Sequence, residues 1–72
     1  MDLQAFIQSE TVECLRRLKS LEFGLNVDTT YVYSGEADSS DVEYFRCEVE
    51  LLALEKEYIE KRLMILRRWL RV

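Results

Sequence analysis

The sequence contains no histidine and no proline, and its 72 residues include only two glycines and two cysteines. Without histidine, acid–base catalysis would need a carboxylate, lysine, tyrosine or cysteine with a shifted pKa. A structural zinc site is not expected either, because Cys14 and Cys47 are far apart and do not form a CxxC pair. No glycine-rich phosphate loop is present. We therefore expect a protein that is not an enzyme and has no metal or cofactor.

Long apolar runs are also missing. The longest, Leu51–Leu54 and Leu63–Leu66, are four residues each, whereas a membrane-spanning helix needs about 20. The first ten residues, MDLQAFIQSE, lack the basic flank and apolar run of a signal peptide. A hydrophobic fraction of 49% argues against disorder. These features predict a cytoplasmic, packed protein with no membrane association.

The length allows one domain, residues 1–72. A chain this short buries only about 60% of its unfolded surface, so a lone core is marginal. Small proteins compensate with disulfides, a metal or oligomerisation, and two cysteines are too few for a disulfide framework. Oligomerisation is what remains, and we expect a homo-oligomer, most simply a dimer.

Apolar periodicity predicts a first helix over about residues 3–24. Asp2 is a natural N-cap, and Gly24 is a natural stop because glycine tolerates the left-handed conformation. The apolar positions recur mainly at three-, four- and seven-residue steps: Leu3, Ile7, Cys14, Leu18, Leu21 and Leu25.

A connector is expected over about residues 25–39. Its Thr29–Tyr33 segment is rich in strand-favouring residues and is followed by Ser34 and Gly35. Two interpretations remain open: an ordered loop whose tyrosines cover the end of the bundle, or an edge strand that pairs with a second chain. Tyr31 and Tyr33 are therefore candidate partner contacts.

A second helix is expected over about residues 40–71. Ser40 and Glu43 have the spacing of a capping box, and arginines near the other end suit the helix dipole. The fold class predicted is all-α: a hairpin of unequal arms with a strand-like connector, self-associating into a four-helix bundle with the long helices at its centre.

The second helix has two apolar faces, which point about 160° apart. We call the first the a/d seam, interrupted only by Lys56: Val42, Phe45, Val49, Leu52, Ile59, Leu63, Leu66 and Leu70. We call the other the c/f stripe, interrupted by Lys61 and Arg68: Tyr44, Cys47, Leu51, Leu54, Tyr58, Ile65 and Val72. Lys56 is expected to direct its ammonium to Glu55 or Glu60.

One neighbouring helix covers only one of these faces, so the second must meet another copy or another protein. The sequence leaves open which face packs inward. Tyrosines favour the c/f stripe as the interface, and Trp69 is typical of an interface or bundle end. The predicted interface is Tyr44, Leu51, Leu54, Tyr58, Ile65 and Trp69. The function expected is that of a protein-interaction module: a small regulator, inhibitor or adaptor.

Charge is strongly segregated along the second half of the chain. Residues 36–60 hold nine acids and two bases, a net −7, and residues 61–72 hold five bases and no acid. Three interpretations compete: a solvated helix surface, electrostatic pairing between copies, or imitation of a nucleic-acid backbone that blocks a basic partner. Glu48 and Glu50 are candidate contacts in the last case. The net charge of −4 disfavours direct nucleic-acid binding.

The segment LRRLKSLEFGL, residues 15–25, is followed after a gap by a long charged helix. This arrangement resembles the region after the winged-helix domain of MerR-type regulators, where a long helix dimerises. The resemblance covers no DNA-binding element, so it assigns no functional residue. The alternative function, which rests on the charge distribution, is a nucleic-acid-related factor: a phosphate mimic that uses residues 36–60, or a transcription-related regulator with a basic tail.

Overall fold

A computed structural model describes residues 2–35 and 38–70. Two helices, α1 (Leu3–Tyr33) and α2 (Ser39–Trp69), each 31 residues long, pack side by side as an antiparallel hairpin. The molecule measures 51 × 18 × 14 Å. The all-helical hairpin is confirmed. The expected inequality of its arms is wrong, because α1 is nine residues longer than its periodicity suggested.

The start of each helix is fixed by an aspartate. The Asp2 carboxylate accepts hydrogen bonds from the amides of Gln4 and Ala5, as predicted. At α2 the predicted Ser40–Glu43 capping box is wrong. The cap is Asp38, whose Oδ1 accepts from the Asp41 amide and the Ser40 hydroxyl, each at 3.0 Å. These bonds, that of the Asp41 amide foremost, lower the pKa of Asp38 below its ordinary value.

The segment expected to be a loop or a strand is helical. Neither interpretation of Thr29–Tyr33 is correct, because α1 continues to Tyr33. The Tyr31 ring packs edge-on against Phe45 of α2, with centroids 4.8 Å apart. Helix propensities differ by less than about 0.7 kcal/mol for ordinary residues, so packing of this kind outweighs the β-branched composition.

The prediction that Gly24 ends the first helix is wrong, and Gly35 ends it instead. Gly24 lies inside α1, and Gly35 follows it with φ at +79°, the left-handed conformation that ends the helix and turns the chain. A Cβ built on Gly24 would lie 3.4 Å from Cδ1 of Leu52. The helix therefore passes through Gly24, and Leu52 of α2 lies at van der Waals distance from its Cβ position.

The core lies along one line of α1 and the a/d seam of α2. Ile7, Cys14 and Leu21 are buried at seven-residue intervals. Cys14 and Leu21 form a cluster with Ile59 and Leu63, against which three half-buried leucines pack: Leu18, Leu52 and Leu66. The question that the sequence left open is thus decided: the a/d seam folds the hairpin.

Three ion pairs join the helices across the edges of this core. Arg17 and Glu55 are 2.6 Å apart, Arg62 and Glu10 are 3.0 Å apart, and Lys56 and Glu22 are 3.8 Å apart. The expected partners of Lys56 were wrong, because a residue on the a/d seam faces α1 and reaches its carboxylates first. Exposed pairs contribute about 0–1 kcal/mol each, so they set the register of the helices more than their stability.

Candidate functional site: the exposed face of the second helix

The c/f stripe of α2 is open to solvent. Its large apolar side chains, together with Trp69, are 51–65% exposed and lie within about 80° of the helix circumference: Tyr44, Leu51, Leu54, Tyr58, Ile65 and Trp69. Cys47 belongs to the same stripe and is also exposed. Val72 lies outside the described residues. The predicted interface residues are therefore accessible together on one surface.

Exposed apolar residues of α1 do not form a comparable surface. They spread over about 240° of that helix and form separate small groups rather than one stripe: Leu3, Phe6, Val12, Leu15, Phe23, Val27 and Tyr33. Scattered exposed apolar residues are ordinary in proteins, whereas a continuous apolar stripe marks an interaction site. The asymmetry between the helices singles out α2.

Tyr58, near the middle of the stripe, is held by its neighbour Arg62. The guanidinium lies 5.9 Å from the ring centroid and its Nη1 is 3.5 Å from the hydroxyl. The pKa of Arg62 is raised, first by this hydrogen bond and then by the Cys14 thiol. Arg62 also donates a hydrogen bond to the Glu10 carboxylate of α1. Tyr58 is therefore positioned by a side chain that is itself held by α1.

Trp69 lies where the stripe meets the open end of the hairpin. An apolar cleft of about 280 Å³ is formed there by Leu3, Phe6, Ile7, Ile65, Leu66 and Trp69. The Gln4 side-chain amide donates to the carbonyl oxygen of Trp69 at 3.4 Å and joins the helix ends. The cleft extends the exposed apolar surface of α2 onto the first turns of α1.

The other candidate contacts are distributed differently. Tyr31 is half-buried against Phe45 and belongs to the fold, whereas Tyr33 is exposed at the far end of the hairpin. Glu48 is half-buried and Glu50 is exposed. The structure therefore separates Tyr31 and Tyr33 from the c/f stripe, whereas Glu48 and Glu50 lie at its two borders.

Part of the acidic block is neutralised within the chain. Glu55 and Glu57 form ion pairs with Arg17 and Lys61, the latter at 3.2 Å. Within residues 2–35 and 38–70, no ion pair is formed by Asp41, Glu43, Glu48, Glu50 or Glu60. Glu36 lies outside the described residues. The unpaired acids are concentrated in the first half of α2.

One polar residue of the core was not anticipated from the sequence. Asp28 follows Ile7, Cys14 and Leu21 at the next seven-residue step and is 7% exposed. Its Oδ2 has no hydrogen-bond partner among the described residues. The signal was present in the spacing, but it is visible only if α1 is continued beyond Gly24.

In the part of the chain that the structure describes, no cluster of acidic or cysteine side chains has an arrangement that could hold a metal ion. Neither helix, over the same residues, combines the length and apolarity that crossing a bilayer requires. The chain matches no protein-family model, no curated protein and no solved structure. The geometry of the α2 surface is therefore the basis for assigning a function.

Proposed function

We propose that this protein is a non-enzymatic interaction module, a small regulator, inhibitor or adaptor, that binds through the c/f stripe of α2. The observation that carries the proposal is the exposure of this stripe after the a/d seam has been covered by α1. One apolar face folds the chain, and the second remains for association. Its tyrosines and Trp69 belong to the residue types enriched at protein interfaces.

Self-association is the first activity of this surface. Among the described residues, the apolar core of one hairpin contains five buried side chains, Ile7, Cys14, Leu21, Ile59 and Leu63, which is little for an independent fold. Covering the stripe with a second copy gives each chain an additional apolar contact. Because the stripe points away from α1, the four helices lie in the order α1–α2–α2–α1, with both α2 helices central. Another protein binds either at the ends of this assembly or in place of one copy.

The experiment places a charge in the centre of the stripe. Leu54→Glu buries a carboxylate if the surface associates, while it keeps helix propensity and leaves the a/d seam intact. Ala53→Glu is the matched control, because residue 53 is exposed and points about 140° away from the stripe. Sedimentation equilibrium should give a monomer for Leu54→Glu and a dimer for Ala53→Glu, both helical by circular dichroism. A dimeric Leu54→Glu protein would refute the proposal.

The acidic half of α2 supports a second candidate, a nucleic-acid mimic that occupies a basic partner. Glu50 and Glu60 are exposed and have no ion pair among the described residues, so their field is available to a cationic surface. Reversing both to Lys should leave the mass of the dimer unchanged. If binding to a basic partner is lost in this variant and falls steeply with salt, mimicry replaces the apolar interface as the function.

A further inference from the structure

We infer that the partner on the c/f stripe is a second copy of this chain in antiparallel orientation, with Leu54 of each α2 opposite Tyr58 of the other. The inference rests on the proposed function and adds the identity, direction and register of the occupant. It is carried by the charges that border the stripe and by the ion pairs that these charges already form.

Along the helix, one border of the stripe changes from acidic to basic and the other changes from acidic to uncharged. One border consists, at seven-residue steps, of Asp41, Glu48, Glu55 and Arg62, and the other consists of Glu43, Glu50, Glu57 and Met64. The acids thus flank the first two-thirds of the stripe, and the basic residues begin at Lys61. In paired helices such flanking positions face each other across the interface and set the orientation of the partner.

Parallel pairing is disfavoured by these charges. In a parallel pair, each residue of the second border faces the residue of the partner's first border whose number is larger by five. Glu43 would face Glu48 and Glu50 would face Glu55, and the twofold symmetry would repeat both contacts. Like charges in such positions destabilise a helix pair. Only the Glu57–Arg62 contact would be attractive.

Antiparallel pairing gives more attractive than repulsive contacts along the stripe and its borders. With Leu54 opposite Tyr58, Leu51 lies opposite Lys61 at the next layer, and Cys47 lies opposite Ile65 at the layer beyond it. Two apolar layers, separated by the Leu51–Lys61 layer, are therefore repeated on each side of the symmetry axis. Tyr44 then meets Arg68, whose guanidinium can stack on the ring. On the border, Glu48 faces Arg62 of the second copy. Since Arg62 is already 3.0 Å from Glu10, this contact forms a charge network rather than a single exposed pair.

The symmetry axis brings two pairs of like charges together, and the fold supplies their counter-ions. Near the axis Glu55 approaches its own copy, and so does Glu57. Glu55 is already 2.6 Å from Arg17, and Glu57 is 3.2 Å from Lys61. These pairs reduce the repulsion at the two positions where antiparallel packing would otherwise be penalised.

Cys47 offers a direct test, because it is exposed on the stripe while Cys14 is buried. In the antiparallel dimer the two Cys47 thiols are about 27 Å apart along the axis, at 1.5 Å per residue. Mild oxidation of the wild type should therefore give no covalent dimer on a non-reducing gel. Ile65→Cys should give one, through Cys47 of one copy and the thiol introduced into the other. Replacing Cys47 by Ala in the Ile65→Cys chain should abolish it.

Each other outcome is decisive. A covalent dimer of the wild type, or of the Cys47→Ala/Ile65→Cys chain, would establish parallel packing and overturn the inference. A dimer by mass that Ile65→Cys fails to cross-link would also overturn it, while leaving the proposed function standing. A wild type that is monomeric at all concentrations would instead refute the self-association itself. The Ile65→Cys chain could be monomeric when reduced. In that case the orientation is tested with a chain that carries Cys47→Ala, Tyr44→Cys and Arg68→Cys, which should form a covalent dimer through residues 44 and 68.

Discussion

Cδ1 of Leu52 lies 3.4 Å from the place where a Cβ on Gly24 would be. This distance is an ordinary van der Waals contact, so a methyl group fits at Gly24. Glycine inside a helix costs about 0.5–1 kcal/mol relative to alanine. We therefore predict that Gly24→Ala raises the free energy of unfolding by about that amount.

Gly35→Ala is the matched control for that substitution. Gly35 has no atom within 4 Å of its Cβ position, but its φ of +79° is strained for any residue with a side chain. The same chemical change should therefore lower stability by about 1–2 kcal/mol. Urea unfolding of the wild type and both variants at one protein concentration gives the two changes in the free energy of unfolding. Equal signs for the two changes would contradict the helix bounds of α1.

The a/d seam is tested by comparing two leucines. Leu63 is 4% exposed and Leu15 is 47% exposed, and both lie in helices. Leu63→Ala should cost about 2–5 kcal/mol, as expected for a buried leucine. Leu15→Ala should cost less than about 1 kcal/mol because little of its surface leaves water. Chemical denaturation monitored by circular dichroism gives both values, and similar losses would mean that the a/d seam is not the core.

Asp28 is predicted to weaken the hairpin. A buried polar atom without a hydrogen bond costs about 1–3 kcal/mol, and Leu at this position would continue the line of Ile7, Cys14 and Leu21. Asp28→Leu should therefore raise the thermal midpoint. A single buried polar residue also specifies register and oligomeric state, so the variant should form a broader range of masses. A lower midpoint would show that the carboxylate has a stabilising partner in solution.

The cap of α2 gives a pH-dependent prediction. Hydrogen bonds lower the pKa of Asp38 below its ordinary value of about 3.8. The stabilisation is therefore complete above that value and is lost as the pH falls through the lowered pKa of the folded state. Asp38→Ala should reduce the thermal midpoint at pH 7, and the difference from the wild type should be smaller at an acid pH below the lowered pKa of Asp38. A difference of the same size at both pH values would mean that the carboxylate is not the cap.

Much of the hairpin follows from the spacing of its apolar residues. The a/d seam and the c/f stripe of α2 and the line of Ile7, Cys14 and Leu21 were all visible as three-, four- or seven-residue repeats. The N-cap at Asp2 was predicted because aspartate before a periodic segment has a specific hydrogen-bonding role. What spacing could not decide was which face of α2 turns inward, since that depends on contacts with a helix far away in sequence.

The end of α1 was missed for a related reason. Gly24 and the run of Thr29–Tyr33 are unfavourable for a helix when each is considered alone. Their contacts are not local: Leu52 fills the space beside Gly24, and Phe45 packs on Tyr31. Tertiary packing decided the conformation of these ten residues, and intrinsic propensity did not. Similarly, Lys56 pairs with Glu22 of α1 and not with its neighbours in sequence.

The proposed function depends on self-association of the chain through the c/f stripe of α2. Sedimentation equilibrium of the wild type from low to high micromolar concentration tests it most directly, combined with thermal unfolding at each concentration. We expect twice the chain mass of 8.6 kDa and a thermal midpoint that rises with protein concentration. A mass of 8.6 kDa throughout, with a midpoint that does not depend on concentration, would contradict it.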